Sequence, residues 1–468
     1  VNSLAPSGTD AQTVSVADRT LILIVVSLAA FLTPFDVSAV NLALPSIGTE
    51  FAMDASTLAW VATVYLLTLA IFLVPFGRVA DIYGRKRVFT FGAVLFALAS
   101  FLISLSFSST SIVAFRTFQG FSASLITVTG FAILTSAYPP RERGKVLGIG
   151  VAAVYLGLSV GPFLGGLLTQ YVGWRSIFYV NIPLGIFIAF VSARKLKVDW
   201  AEAKGEPFDL IGSAIYGIAL FSLVFGMTQI PALRGLILMI LGVAAAVSFV
   251  FWELRTRFPV FNVGLFLRNR AFAFSNVAAL INYSATFAVT LLLSIYLQSV
   301  RGFSPQIAGM VLVAQPIVQA AVSPLAGKLS DRIEPQIVAS IGMGITTVGL
   351  IPFIFLTPET PIPFVVASLM ILGFGFGLFS SPNTNAVMSS VERRFYGLAS
   401  GTIGTMRTIG QVMSVAIVQL IFALIIGQEL VTPESPQLFL QSNQLAFSVF
   451  VMLCFLGIFA SLARGKVR

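Results

Sequence analysis

Unbroken apolar runs of roughly 20 residues, without the alternation of a half-buried strand, recur along the chain from Leu21 to Leu462. They cover approximately 20–47, 57–78, 88–107, 111–135, 144–169, 173–193, 209–228, 233–252, 272–299, 304–327, 336–356, 362–388, 397–426 and 443–463. Short charged or Pro/Gly-rich joints separate them, and each run is long enough for a helix to cross about 30 Å of hydrocarbon. Lipid offers no partner to an open backbone, so a span is a helix or a closed barrel, and continuous apolarity selects helices. The pattern predicts an all-α integral membrane protein with fourteen transmembrane helices.

Composition agrees: 57% of the residues are hydrophobic and 10% charged, and the mean hydropathy of +0.96 excludes a soluble globular domain. The net charge of +10 does not point to nucleic acid, because the basic residues sit at every second joint rather than in one patch. Arg19, Arg78 to Arg87, Arg141 to Lys145, Arg194 to Lys204, Arg255 to Arg270, Lys328, Arg332, Arg393, Arg394 and Arg464 to Arg468 fall on one side. Only Arg175, Arg234 and Arg301 fall on the other. This asymmetry puts both termini in the cytoplasm. The first nineteen residues lack a signal-peptide pattern, so the first helix is expected to be retained.

The charge runs Arg194 to Glu206 and Glu253 to Arg270 divide the helices six, two and six. The expected organisation is a tail over 1–19, a six-helix bundle over 20–196, a linker with two extra helices over 197–270, a second six-helix bundle over 271–463 and a tail over 464–468. An internal repeat supports it. GRVADIYGRKR (Gly77 to Arg87) closes the second helix and GKLSDRIEPQ (Gly327 to Gln336) the tenth, while Gly148 and Gly157 are echoed by Gly401 and Gly410. Duplicated bundles around a midplane cavity are the architecture of alternating-access transporters.

One cysteine, Cys454, gives no disulfide or metal framework, and with no histidine any proton chemistry falls to carboxylates. Asp36, in FDVSAVNLALP, is the acid deep inside a span. It is either a hydrogen-bonded packing residue or a proton carrier, since intramembrane ionisable groups are costly and usually functional. Burial favours a protonated carboxyl group and a nearby arginine the ionised one, so alternation between the two moves a proton. Arg116, in FRTFQG, enters the fourth helix at a compatible depth, and a guanidinium there must be paired or wetted. Arg407, about ten residues into helix thirteen, either faces anionic or carbonyl-bearing cargo or bonds backbone carbonyls near Gly404 and Gly410. Arg407 and Asn41 are the candidates for a substrate cavity. GLSVGPFLGG places Gly157, Gly161, Gly165 and Gly166 around Pro162 at spacing that permits close helix contact and a kink. No metal-ligand spacing and no nucleophile with a base suggests an enzyme, and no cofactor is expected.

Nearly end to end, the chain resembles the fourteen-helix drug:proton antiporters of the major facilitator superfamily. GRVADIYGRKR is similar to that family's joint between helices two and three, which implies that Gly77, Asp81, Gly84 and Arg85 gate the inner side, with Asp331 in the repeat. FRTFQG resembles its helix-four signature, implying a part for Arg116 in proton transfer, and GLSVGPFLGG its helix-five antiporter signature, implying export. FDVSAVNLALP and GWRSIFYVNIPLG resemble its helix-one and helix-six stretches. The resemblance implies a monomer in a prokaryotic inner membrane that exchanges small amphipathic compounds for protons; metabolite or lysolipid transport and a membrane sensor are the alternatives. Two departures stand out. The second bundle lacks the extra acids frequent in exporters of polyvalent cations, which favours neutral, zwitterionic or anionic cargo, and Pro335 replaces basic residues in the second joint.

Overall fold

The computed structural model describes residues 16–139, 142–230, 232–330, 332–392, 396–426 and 436–465. Fourteen helices in it are long and apolar enough to cross a membrane, and no strand occurs among the described residues. They are α1 (Val16–Glu50), α2 (Ala55–Tyr83), α3 (Arg85–Ser104), α4 (Ser109–Ala137), α5 (Arg143–Tyr171), α6 (Arg175–Lys195), α7 (Leu210–Thr228) and α8 (Leu233–Arg255). There follow α9 (Arg270–Val300), α10 (Pro305–Ser330), α11 (Pro335–Phe355), α12 (Ile362–Ser389), α13 (Tyr396–Ile425) and α14 (Pro436–Ala463). A short connecting helix, Val263–Arg268, precedes α9. The protein is a multi-pass membrane protein.

Local chemistry sets the ends of these helices. Asp54 caps α2 by accepting from Thr57 N at 2.7 Å, and Ser108 with Ser111 forms a reciprocal capping box at the start of α4. Two spans that read as continuous in sequence are broken in their middle. In α10 the helix is interrupted at Val313, because Pro316 has no N–H to offer the Leu312 carbonyl. In α9 the break follows Thr286, where Ala288 N donates to Ser414 Oγ at 3.0 Å, and the last five residues form a π-turn.

The packing shows the duplication. In the first bundle α1 packs on α5, α2 on α4, and α3 on both α4 and α6; in the second, α9 packs on α13, α10 on α12, and α11 on both α12 and α14. The two bundles meet along α5–α10 and α2–α13, which are again equivalent pairs. The extra helices α7 and α8 pack on each other; α7 leans on α2 and α13, with the Tyr216 hydroxyl donating to Ala70 O at 3.1 Å. Only 17% of the apolar stretch of α8 is buried, and Ile237, Ile240 and Phe251 stand exposed, as suits a helix facing lipid. Arg464, directly after α14, is 1% exposed and donates to Ser461 O, Ser275 Oγ and Asn383 Oδ1, which ties the ends of α9, α12 and α14 together. Burial pushes its guanidinium pKa down to about 10, so it keeps its charge at neutral pH.

Candidate functional site

Midway along α1, Asp36 is 0% exposed and lies 2.6 Å from Arg116 Nη1, itself 1% exposed. Asp36 Oδ2 takes that bond, while Oδ1 accepts from Gln119 Nε2 at 3.1 Å and Asn181 Nδ2 at 2.6 Å. Four transmembrane helices converge there, because Asp36 comes from α1, Arg116 and Gln119 from α4, Asn181 from α6, and Val61 of α2 accepts from Arg116 Nε at 3.2 Å. Arg116 also donates to Gln119 Oε1. Its guanidinium lies 4.3 Å from the centre of the Tyr65 ring, a cation–π contact in a dry site. A buried charge pair survives only when its remaining hydrogen-bonding positions are filled, and here neutral amides fill them. Tyr65 Oη and Asn181 Oδ1 are buried without a partner among the described residues.

The glycines of α5 explain why α1 can come so close. A Cβ on Gly157, Gly161 or Gly165 would lie 2.4 to 2.6 Å from Phe31 O, Ser38 Cβ or Ala39 Cα of α1. These three positions, four residues apart, form one groove that receives the turns of α1 on either side of Asp36. Ser38 Oγ completes the contact by donating to Leu158 O at 3.2 Å. Gly166 and Pro162 serve the other neighbour: Gly166 meets Pro305 O of α10, and the Pro162 carbonyl sits against Gly309. The repeat is visible here too, since Gly410 of α13 meets Leu280 O of α9 as Gly157 meets Phe31 O.

A central cavity of about 120 Å³ lies between the bundles. Tyr65, which stacks on Arg116, lines it, as do Asn41 and Arg407. Arg407 makes no hydrogen bond or ion pair among the described residues, so the alternative in which it holds carbonyls near Gly404 and Gly410 is not realised in this conformation. It also borders a recess of about 30 Å³ against α1, α4 and α5. One turn further along α2 and α13, a second cavity of about 590 Å³ is bordered by Gly77, Asp81, Arg85, Gly401 and Thr405, on the face that carries the basic joints. The opposite face is closed by backbone contact between α5 and α10, by Tyr171 donating to Gln306 at 2.9 Å, and by Ser294 and Gln298 donating to the carbonyls of Asn41 and Leu42 at 2.8 and 3.0 Å.

At the joint between α2 and α3, Arg85 Nε bonds Asp81 Oδ1 at 2.8 Å and Arg85 Nη1 bonds Glu202 at 2.8 Å. Glu202 belongs to the segment between α6 and α7, which folds back as a strap: Arg85 N donates to Trp200 O, Ala203 N to Asp81 O, and Glu206 pairs with Arg78. Gly84, at φ +112°, has no side chain with which to cap α3; Asp199 of the strap occupies the space and accepts from Lys86 N at 3.0 Å. Asp331, the repeat's equivalent of Asp81, lies outside the described residues.

The structure thus brings Asp36 to Arg116, sets Gly157, Gly161 and Gly165 against α1, and puts Arg407 and Asn41 on one cavity. Sequence reading missed Gln119, Asn181, Tyr65 and the strap. Gln119 was within reach, three residues after Arg116 and therefore on the same helix face; Tyr65 carries no such signal.

The Major Facilitator Superfamily profile matches residues 26–415. The chain is 29% identical over 442 residues to a riboflavin transporter of Clostridioides difficile, covering 94% of this chain and 96% of that protein. It is 31% identical over 409 residues to the multidrug resistance protein Stp of Mycobacterium tuberculosis, with 86% and 76% covered, and 28% identical over 410 residues to a methylenomycin A resistance protein of Bacillus subtilis, with 86% and 87% covered. Its fold is similar to that of a bacterial homologue of the human lysosomal transporter Spinster, at a TM-score of 0.66 and 15% identity over 96% of this chain and 97% of that one.

Proposed function

The chain belongs to the major facilitator superfamily, and from that premise we propose that it is a proton-coupled antiporter that exports small amphipathic compounds, with Asp36 as the proton carrier. It is a membrane transporter of small molecules rather than an enzyme. The observation that carries the proposal is the wholly buried Asp36–Arg116 pair, one aromatic ring away from a cavity shared by both bundles. A proton and Arg116 compete for one carboxylate. When the proton binds, Arg116 keeps Val61 O, Gln119 and the Tyr65 ring but loses its counter-ion, so cargo pressing on Tyr65 and a proton on Asp36 act on one set of contacts.

The excess of Lys and Arg on the basic face supports a cytoplasmic position for that face and for both termini. On this assignment the cavity at Gly77, Asp81 and Arg85 is the inner mouth, and the α5–α10 and α1–α9 contacts are the closed outer gate. Residues 20–196 and 271–463 act as the two rocking halves and 197–270 as their linker. A monomer in a lipid bilayer suffices for this reading, since one chain supplies both walls of the cavity.

Proteoliposomes carrying an imposed pH gradient test this reading. The gradient accelerates cargo flux by the native chain, whereas Asp36→Asn retains cargo exchange and loses at least about tenfold of the acceleration. Undiminished acceleration in Asp36→Asn removes Asp36 from the role. The similarity to a riboflavin transporter favours a second reading, facilitated passage of a metabolite. Flux down the cargo's own gradient with no movement of protons is its signature.

A further inference from the structure

The central cavity holds more hydrogen-bonding capacity than proton exchange uses. Five of the side chains lining it, Asn41, Gln315, Gln319, Arg407 and Gln411, make no hydrogen bond or ion pair among the described residues. Gln319 is the sharpest case: it is only 5% exposed, and its Nε2 is buried without a partner. Native structures rarely leave a buried amide N–H2 unmade, because it has given up its water.

The chemistry of this set is one-sided. Carboxamides donate and accept, a guanidinium only donates, and among the described residues no Asp, Glu or Lys lines the cavity. The nearest acid, Asp36, has both oxygens bonded and no exposed surface, so it offers a cation nothing. The walls add aromatic faces. Tyr283 and Phe376 meet edge to face at 5.3 Å and, with Phe287 of α9, border the cavity, which gives its walls aromatic surface. A volume of about 120 Å³ holds roughly one aromatic ring, and the larger cavity toward the basic face begins one turn further along α2 and α13.

We infer that the cavity selects cargo presenting a planar conjugated ring edged with carbonyl or imide groups, uncharged or singly negative, and that Arg407 and Gln319 determine this preference. The inference rests on the transport reading above and specifies what is carried. Gln319 supplies the donor and acceptor that an imide edge needs, and Arg407 the fork that fits a carbonyl pair or a carboxylate. A permanent cation meets the positive Arg407 and, among the described lining residues, no compensating acid.

Equilibrium binding to the full chain in lipid nanodiscs, with no gradient, tests this using riboflavin (neutral imide), anthraquinone-2-carboxylate (singly negative) and ethidium (singly positive), all planar. Riboflavin and anthraquinone-2-carboxylate compete for one site, and ethidium does not displace them. Arg407→Gln weakens the carboxylate about tenfold and riboflavin less; Gln319→Leu weakens riboflavin about tenfold. Gln319→Glu, nearly isosteric, admits ethidium and excludes the carboxylate, a gain that misfolding cannot imitate. Ethidium binding the native chain as tightly as the other two, failure of both acceptor probes to bind, or unchanged affinities in the Arg407 and Gln319 variants overturns the inference. Flux in vesicles separates it from the antiport reading. Selective binding of the acceptor probes without proton-linked flux contradicts antiport alone, whereas proton-linked flux of ethidium only contradicts this inference alone.

Discussion

Tyr65 presents one face to the guanidinium of Arg116 and borders the cavity where cargo is expected. A cation–π contact in a desolvated site contributes about 2 kcal/mol, enough to hold the arginine against the carboxylate while leaving it movable. Tyr65→Phe keeps the ring and is expected to keep tight coupling. Tyr65→Ala removes the partition and is expected to let protons leak through vesicles without cargo, as read by an internal pH dye; a proton-tight Tyr65→Ala variant contradicts a partition role. Asp36 and Arg116 were legible in the sequence because a charge in hydrocarbon is costly wherever it stands. Asn181 was not, since a neutral amide is far less exceptional in a membrane helix and reveals its partner only in three dimensions, and Gln119 was legible only as a neighbour of Arg116 on the same helix face.

At the scale of elements, α5 decides where α1 can lie. A methyl group at Gly161 would sit 2.6 Å from Ser38 Cβ, so Gly161→Ala forces α1 outward at a cost of about 1–3 kcal/mol. Gly401, the echo of Gly148, has nothing within 4 Å among the described residues, and Gly401→Ala gains about 1 kcal/mol of helix propensity instead. Melting in detergent therefore falls for Gly161→Ala and holds or rises for Gly401→Ala; equal losses would show that the groove does not matter. Sequence spacing alone indicated close contact but named no partner, because small residues at four-residue intervals fit any neighbouring helix. The strap was hidden for a related reason: a charged linker reads as solvated until its partners are seen. Loss of the Asp199 cap in Asp199→Ala is worth about 1 kcal/mol, so hydrogen exchange in the first turn of α3 speeds up about fivefold. Glu202→Gln, at an exposed position, leaves the melting temperature nearly unchanged.

The whole molecule is two similar bundles joined along two equivalent seams, α5–α10 and α2–α13, with α7 laid across the second. The count of spans followed from hydropathy, since the bilayer fixes helix length and leaves little else to satisfy the backbone. The breaks in α9 and α10 did not follow, because local irregularity at a cavity depends on what each freed backbone group finds nearby. Alternating access requires the closed face to open and the basic face to shut, and the account assigns control of that balance to one carboxylate. The most direct measurement is the spin-label distance across the face closed by Tyr171 and Gln306, recorded against pH in lipid for the native chain and for Asp36→Asn. With Asp36 in the proposed carrier role, acidification is expected to lengthen that distance in the native chain and to leave it unmoved in the variant. The same response to acid in both proteins contradicts the account.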